Sequence, residues 1–118
     1  MSNKYLVNCG HGHDNLEKAT IAFILAFASS KSSETAVFAT AGASDLFLED
    51  QAPDIHVEGY EPINALIDGF IENGGKVWLC PACANAKGIK QEDLIYGVEI
   101  AGAPKTMEYL ASGALTLA

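Results

Sequence analysis

The chain has 118 residues, with fifteen acidic residues against seven lysines and no arginine, a net charge of −8. That balance argues against nucleic acid or another polyanion as ligand, because neutralising phosphates needs clustered basic side chains. With 49% hydrophobic and 19% charged residues, residues 1–118 read as a single globular domain with a substantial core rather than a disordered chain. Its longest apolar run, about ten residues, is too short to cross a bilayer, so no membrane partner is expected.

Tyr5-Leu6-Val7 is a continuous apolar run, as expected of a short strand in a sheet covered on both faces. No secretory leader precedes it, and three cysteines without a leader read as reduced thiols of a cytoplasmic protein. The strand ends at Asn8-Cys9. The loop Gly10-His11-Gly12-His13 follows, and Asp14 or Asn15 is placed to cap the next helix. That helix is expected over residues 16–29. Between Ala19 and Ala28 only Thr20 is polar, so the helix is apolar nearly all round. One small domain cannot bury such a helix on every side, and the excess is read as a subunit interface.

A polar turn at residues 29–33 leads to a second strand over residues 35–39, which ends in Thr40-Ala41-Gly42. Residues 43–60 are the least regular stretch, with a helical turn expected near Ser44–Leu48. An acidic loop carrying Glu49, Asp50, Asp54 and Glu58 follows and is read as solvated surface; His56 within it is given no role. Glu61-Pro62 opens a helix on which Ile63, Leu66, Ile67, Phe70 and Ile71 keep the i, i+3, i+4, i+7, i+8 spacing of a one-sided helix. Gly74-Gly75 ends it.

The next stretch, Lys76-Val77-Trp78-Leu79-Cys80-Pro81-Ala82-Cys83, passes from strand to helix. Pro81 suits the first helical position, which puts Cys80 at the N-cap and Cys83 in the first turn. Free N–H groups there favour a thiolate, so Cys80 and Cys83 are the candidate reactive pair. Gly88 stops this helix, and residues 91–95 form a further turn. Residues 98–100 make a fourth strand. Ala103-Pro104 starts the last helix, with Met107, Leu110 and Ala111 expected on its inner face. Gly113 closes that helix and residues 114–117 form a fifth strand.

Strands alternating with helices predict a three-layer α/β/α sandwich around a five-stranded parallel sheet. In such sheets ligands gather beyond the carboxyl ends of the strands. That edge carries Cys9, His11 and His13, then Gly42, then Cys80 and Cys83. Cys9, His11, His13 and Gly42 are therefore candidate substrate-binding residues beside the catalytic candidates Cys80 and Cys83. A histidine there could stabilise a thiolate, relay a proton or bind metal. Gly10-His11-Gly12-His13 lacks the Gly-Lys-Ser/Thr ending of a phosphate loop, and no dinucleotide fingerprint occurs, so no cofactor is expected. One Cys-x-x-Cys pair is half of a zinc site, so no metal is expected either.

The order of elements, the Val-Trp-Leu-Cys-Pro-Ala-Cys turn, the following Lys-Gly-Ile and the stretch Leu-Ile-Tyr-Gly-Val-Glu-Ile-Ala-Gly-Ala together resemble the DsrE/DsrF-like family, which includes YchN-like proteins and small sulfur-relay subunits. The resemblance covers nearly the whole chain, with residues 76–113 its specific part. It implies a YchN-like fold and a homo-oligomer, a trimer or hexamer. It also implies that Cys80 carries sulfane sulfur as a persulfide and exchanges it with a donor or acceptor protein. Cys83 is not required by that pattern, and Lys87 stands where many relatives have arginine. Three other readings stand beside sulfur transfer. They are a thiol redox module in which Cys80 attacks and Cys83 resolves, a metal-binding module using Cys9, His11, Cys80 and Cys83, and an oligomer without chemistry.

Overall fold

The computed structural model describes residues 3–49 and 57–117. Asp50, Asp54 and His56 of the acidic loop lie outside the described residues. In chain order the elements are β1 (Lys4–Cys9), α1 (Leu16–Ser30), β2 (Glu34–Ala39), a 3-10 segment at Ala41–Phe47, α2 (Ile63–Glu72) and β3 (Lys76–Leu79). They continue with α3 (Pro81–Ala86), a 3-10 turn at Gln91–Asp93, β4 (Val98–Ile100), α4 (Ala103–Ala111) and β5 (Leu115–Leu117). The five strands form one sheet in the order β4-β3-β2-β1-β5, with every pair parallel. The α/β fold is thus the one the sequence predicts.

The handedness of crossover connections decides which helix covers which face. From β1 to β2 to β3 the chain steps in one direction, so right-handed crossovers put α1 and α2 on the same side. From β4 to β5 it returns the other way across the sheet, and the same rule sends α4 to the opposite side. Strand residues alternate accordingly. Val7, Cys9, Val37, Ala39, Val77 and Leu79 share one core with α1 and α2, whereas Leu6, Ala36 and Trp78 pack with Tyr109 and Leu110 of α4.

The α1/α2 side is the denser. Phe23 of α1 meets Phe47 and Phe70 edge-on, with ring centroids 5.9 and 6.0 Å apart. Phe47 closes the 3-10 segment and is fully buried, so this irregular stretch supplies a core residue that sequence periodicity does not reveal. The two helices come close because Gly69 has no side chain: a Cβ there would stand 2.7 Å from Cε1 of Phe27. Asn15 caps α1, its side-chain oxygen accepting from the Lys18 N–H at 3.2 Å. The anticipated stripe of α2 is inward, with Ile63, Leu66, Ile67 and Phe70 buried.

The α4 side is thinner. Trp78 and Tyr109 stack edge-to-face at 5.2 Å, and Lys105 lies over the indole. The inner face of α4 differs from the expectation. Thr106, Tyr109 and Leu110 turn toward the sheet, while Met107 is 60% exposed and Ala111 is also exposed. The aromatic ring of Tyr109 over Trp78 sets the rotation of this helix, and its apolar residues are too few for periodicity to do so. On α1, Ile21, Ile24 and Leu25 remain 41%, 38% and 37% exposed, a contiguous apolar outer strip.

These burials separate two substitutions. Phe23→Ala should destabilise the protein by about 3–5 kcal/mol, because a large cavity opens among Phe47, Phe70 and the sheet. Met107→Ala should stay within about 0.5 kcal/mol of the parent. Denaturant unfolding of both variants checks the assignment of the inner face.

Candidate functional site

The carboxyl ends of the strands are brought level by their pairing. Cys9 of β1 stands opposite Ala39 of β2, which stands opposite Leu79 of β3, which stands opposite Ile100 of β4. The ladder runs one residue further at each junction. The Thr40 N–H donates to Cys9 O at 3.0 Å, the Cys80 N–H to Ala39 O at 2.9 Å, and the Ala101 N–H to Leu79 O at 3.0 Å. The loops after β1, β2, β3 and β4 therefore leave the sheet side by side.

Cys80 leaves β3 in extended conformation and is the residue before α3, with Pro81 at the first helical position. Both thiols of the pair are partly exposed and free. The nearby backbone N–H of Cys83 lowers the Cys80 thiol from its ordinary value of 9.0; partial burial opposes this, and the Cys83 thiol and the Ala82 N–H add to the lowering, although the Cys80 side chain makes no cap hydrogen bond to α3. Helix α3 has only six residues, so individual N–H groups rather than a macrodipole stabilise the thiolate. Cys83 is held from the neighbouring strand: the Ala41 N–H donates to its sulfur at 3.2 Å.

Ala41 reaches Cys83 at a conformational cost. Its φ of 51° is left-handed, the single such non-glycine among the described residues. That conformation costs an alanine about 1–2 kcal/mol. Strain of this kind gathers where surrounding structure demands a particular backbone direction. Here it aims an N–H at a cysteine of another element.

The other anticipated residues form a separate, adjoining arrangement. Cys9 is 2% exposed and donates to His11 O at 3.4 Å. Burial pushes its thiol up to about 11, partly offset by that hydrogen bond, with the charge of Asp14 adding to the rise. It is a packing residue of the α1/α2 core. His11 is engaged by Asp14, whose Oδ2 accepts from Nδ1 at 3.1 Å while Oδ1 accepts from the Gly12 N–H at 2.8 Å. These contacts, the Gly12 N–H first, hold the Asp14 carboxyl below the usual range. An acceptor-only carboxylate fixes the proton of His11 on Nδ1. His13 is exposed in the 3-10 turn His13–Asn15. Gly42 lies beside Asp14, and a Cβ on Gly42 would collide with that carboxylate; a Cβ on Gly12 would collide with Gly42 O. Gly12 and Gly42 thus let two loops interlock.

The dithiol, Ala41 and the start of α3 are accordingly one cluster, while Cys9, His11, Asp14 and Gly42 are its neighbours. Sequence reasoning missed Ala41 and the gathering role of Asp14. An alanine in the left-handed region leaves no trace in composition or pattern. Among the described residues no group of three or more His, Cys, Asp or Glu is arranged to hold a metal ion. A groove of about 320 Å³ lies beyond β1, lined by Asn8, Cys9, Gly10, His11, Lys18 and Ile21. It adjoins the β1/β5 boundary, where strand order reverses.

A parallel α/β domain with a paired thiol at the carboxyl edge of its sheet is the class defined by these features. Within that class the chain belongs to the DsrE/DsrF-like family, whose model matches residues 3–117. Among solved structures it is similar to the ychN protein from E. coli, at 24% identity with a TM-score of 0.80, covering 98% of this chain and 99% of that one. It is also similar to MTH1491 of Methanobacterium thermoautotrophicum, a protein of unknown function, at 13% identity with a TM-score of 0.70, covering 98% of each chain. Among curated proteins it is 28% identical over 101 residues to the uncharacterized protein MJ0760 of Methanocaldococcus jannaschii. That match covers 85% of this chain but spans only 37% of the relative's length.

The two thiol environments are distinguishable by alkylation. Rate follows thiolate fraction, so the pH profile at Cys80 should turn below the ordinary thiol value, while Cys9, held protonated to about 11, should label only on unfolding. Peptide mass analysis of iodoacetamide labelling against pH reads both. A Cys80 no faster than a free thiol would contradict the lowered value.

Proposed function

We propose that the protein carries sulfane sulfur as a persulfide on Cys80 and passes it between partner thiols. One observation supports this most directly: Cys80 is a partly exposed thiol just before α3, where the nearby N–H groups of Cys83 and Ala82 favour its thiolate. Sulfur loading needs a nucleophilic thiolate that a donor can reach. The reaction is an exchange. Cys80 thiolate attacks the outer sulfur of a donor persulfide, the donor leaves as a thiol, and Cys80 bears the new S–S bond. Membership of the DsrE/DsrF-like family, in which sulfur relay occurs, supports the same reading. Partly exposed reduced thiols suit a reducing compartment, which favours a cytoplasmic protein. No described helix is long and apolar enough to cross a membrane.

Treatment of the reduced protein with a low-molecular-weight persulfide should add the mass of one sulfur atom at Cys80. Cys80→Ser should abolish the addition while leaving circular dichroism and cooperative unfolding unchanged. If Cys80→Ser loads as well as the parent, the reading is wrong.

The exposed apolar strip on α1 supports self-association into a trimer or hexamer. Ile21, Ile24 and Leu25 adjoin one another on a helix whose opposite side is already in the core. Each is already more than half buried, so a second copy covering the remainder would gain about 1 kcal/mol per side chain. Light scattering should return a multiple of the chain mass that falls in Ile24→Glu. A parent that scatters as a monomer at micromolar concentration would remove this part of the proposal.

A further inference from the structure

Cys83 has no place in a relay that needs one thiol, yet the neighbouring loop engages it. It follows Cys80 by three residues at the start of α3, and its sulfur accepts the N–H of Ala41 from the loop after β2 at 3.2 Å. Ala41 itself is in the left-handed region, with φ of 51°. Residues three apart on a helical turn are neighbours on one face, so Cys80 and Cys83 share one side of the start of α3.

We infer that Cys83 discharges the Cys80 persulfide, releasing hydrosulfide and leaving a Cys80–Cys83 disulfide. The inference rests on the persulfide reading of Cys80 and adds a second activity to the same site. The terminal sulfur of the persulfide, carried as its anion, takes the proton of the Cys83 thiol. The Cys83 thiolate, stabilised by the Ala41 N–H, then attacks Sγ of Cys80. The bond between Sγ and the terminal sulfur breaks, and its electron pair leaves with that sulfur as hydrosulfide, which carries the proton. The sulfane sulfur is reduced to sulfide and the two cysteines are oxidised to a disulfide, so one discharge needs no external oxidant. Each further cycle requires a dithiol reductant to reopen the disulfide. A relay cysteine alone hands sulfur on; with Cys83 beside it the protein also converts sulfane sulfur to free sulfide.

The test begins with the reduced full-length chain, loaded briefly with a low-molecular-weight alkyl persulfide and desalted. Intact mass and released sulfide are then followed together. In the parent the added sulfur should disappear, one equivalent of sulfide should appear, and the chain should finish two hydrogens lighter than its reduced form. Cys83→Ser should keep the added sulfur, with sulfide release slowed by about tenfold or more, since an intramolecular thiol outcompetes external ones. Cys83→Ala should behave as Cys83→Ser, which separates thiol chemistry from hydrogen bonding. A parent that stays loaded and releases no sulfide overturns the inference and leaves the persulfide reading standing. Sulfur found on Cys83 without a disulfide, or equal sulfide release from Cys83→Ser, also overturns it. A parent that never gains sulfur overturns both.

Discussion

The in-register parallel pairing of β1, β2 and β3 is the constraint on which the rest of the molecule depends. Each carbonyl at a strand end is taken by the first N–H beyond the neighbouring strand: Thr40 on Cys9, Cys80 on Ala39, Ala101 on Leu79. The exits of four loops are thereby held side by side, one strand spacing of about 4.8 Å apart. Ala41, two residues past β2, is then within reach of Cys83, four residues past β3. A register slip of one residue would turn every strand side chain to the other face and separate these groups. The same pairing explains why the two glycines of neighbouring loops, Gly12 and Gly42, meet with no room for a Cβ.

Chirality distributes what remains. Right-handed crossovers gather α1 and α2 over one face, where Phe23, Phe47 and Phe70 form a tight aromatic core. The lone return connection leaves α4 to cover the other face, and among the described residues Trp78, Tyr109 and Leu110 carry most of its packing. A groove of about 250 Å³ remains there between Lys4, Lys76, Trp78, Lys105 and Tyr109, at the edge of the sheet where the strands begin. The partly exposed thiols of Cys80 and Cys83 lie at the opposite edge, where the strands end.

Cys9 and Cys80 show how one residue type takes two characters from position alone. Both stand at the carboxyl ends of short apolar strands, β1 and β3, on the same edge of the sheet. Cys9 is still within its strand, pointing into the α1/α2 core, and burial makes its thiol hard to ionise. Cys80 is one residue past its strand, where the chain turns and the N–H groups of Ala82 and Cys83 have no helical carbonyl to bind. A single residue of offset separates a buried packing thiol from a partly exposed one.

Much of this was legible from the residues in order. Alternation of apolar runs with helical spacing announced the five strands, the four helices and the parallel sheet. Pro81 and the Cys-x-x-Cys spacing placed Cys80 before a helix, because proline restricts φ locally whatever surrounds it. The apolar excess of α1 was equally visible, since it is a property of one helix. Tertiary structure alone decided the rest. Met107 looked inward by spacing but is exposed, because the stack of Tyr109 on Trp78 sets the rotation of α4. Phe47 entered the core from an irregular segment. His11 was claimed by Asp14 rather than by a thiol. Above all, the left-handed Ala41 and its N–H on Cys83 have no sequence signature. Periodicity and capping are short-range and written in neighbouring residues, whereas that contact joins positions 42 residues apart and exists only once two strands have paired.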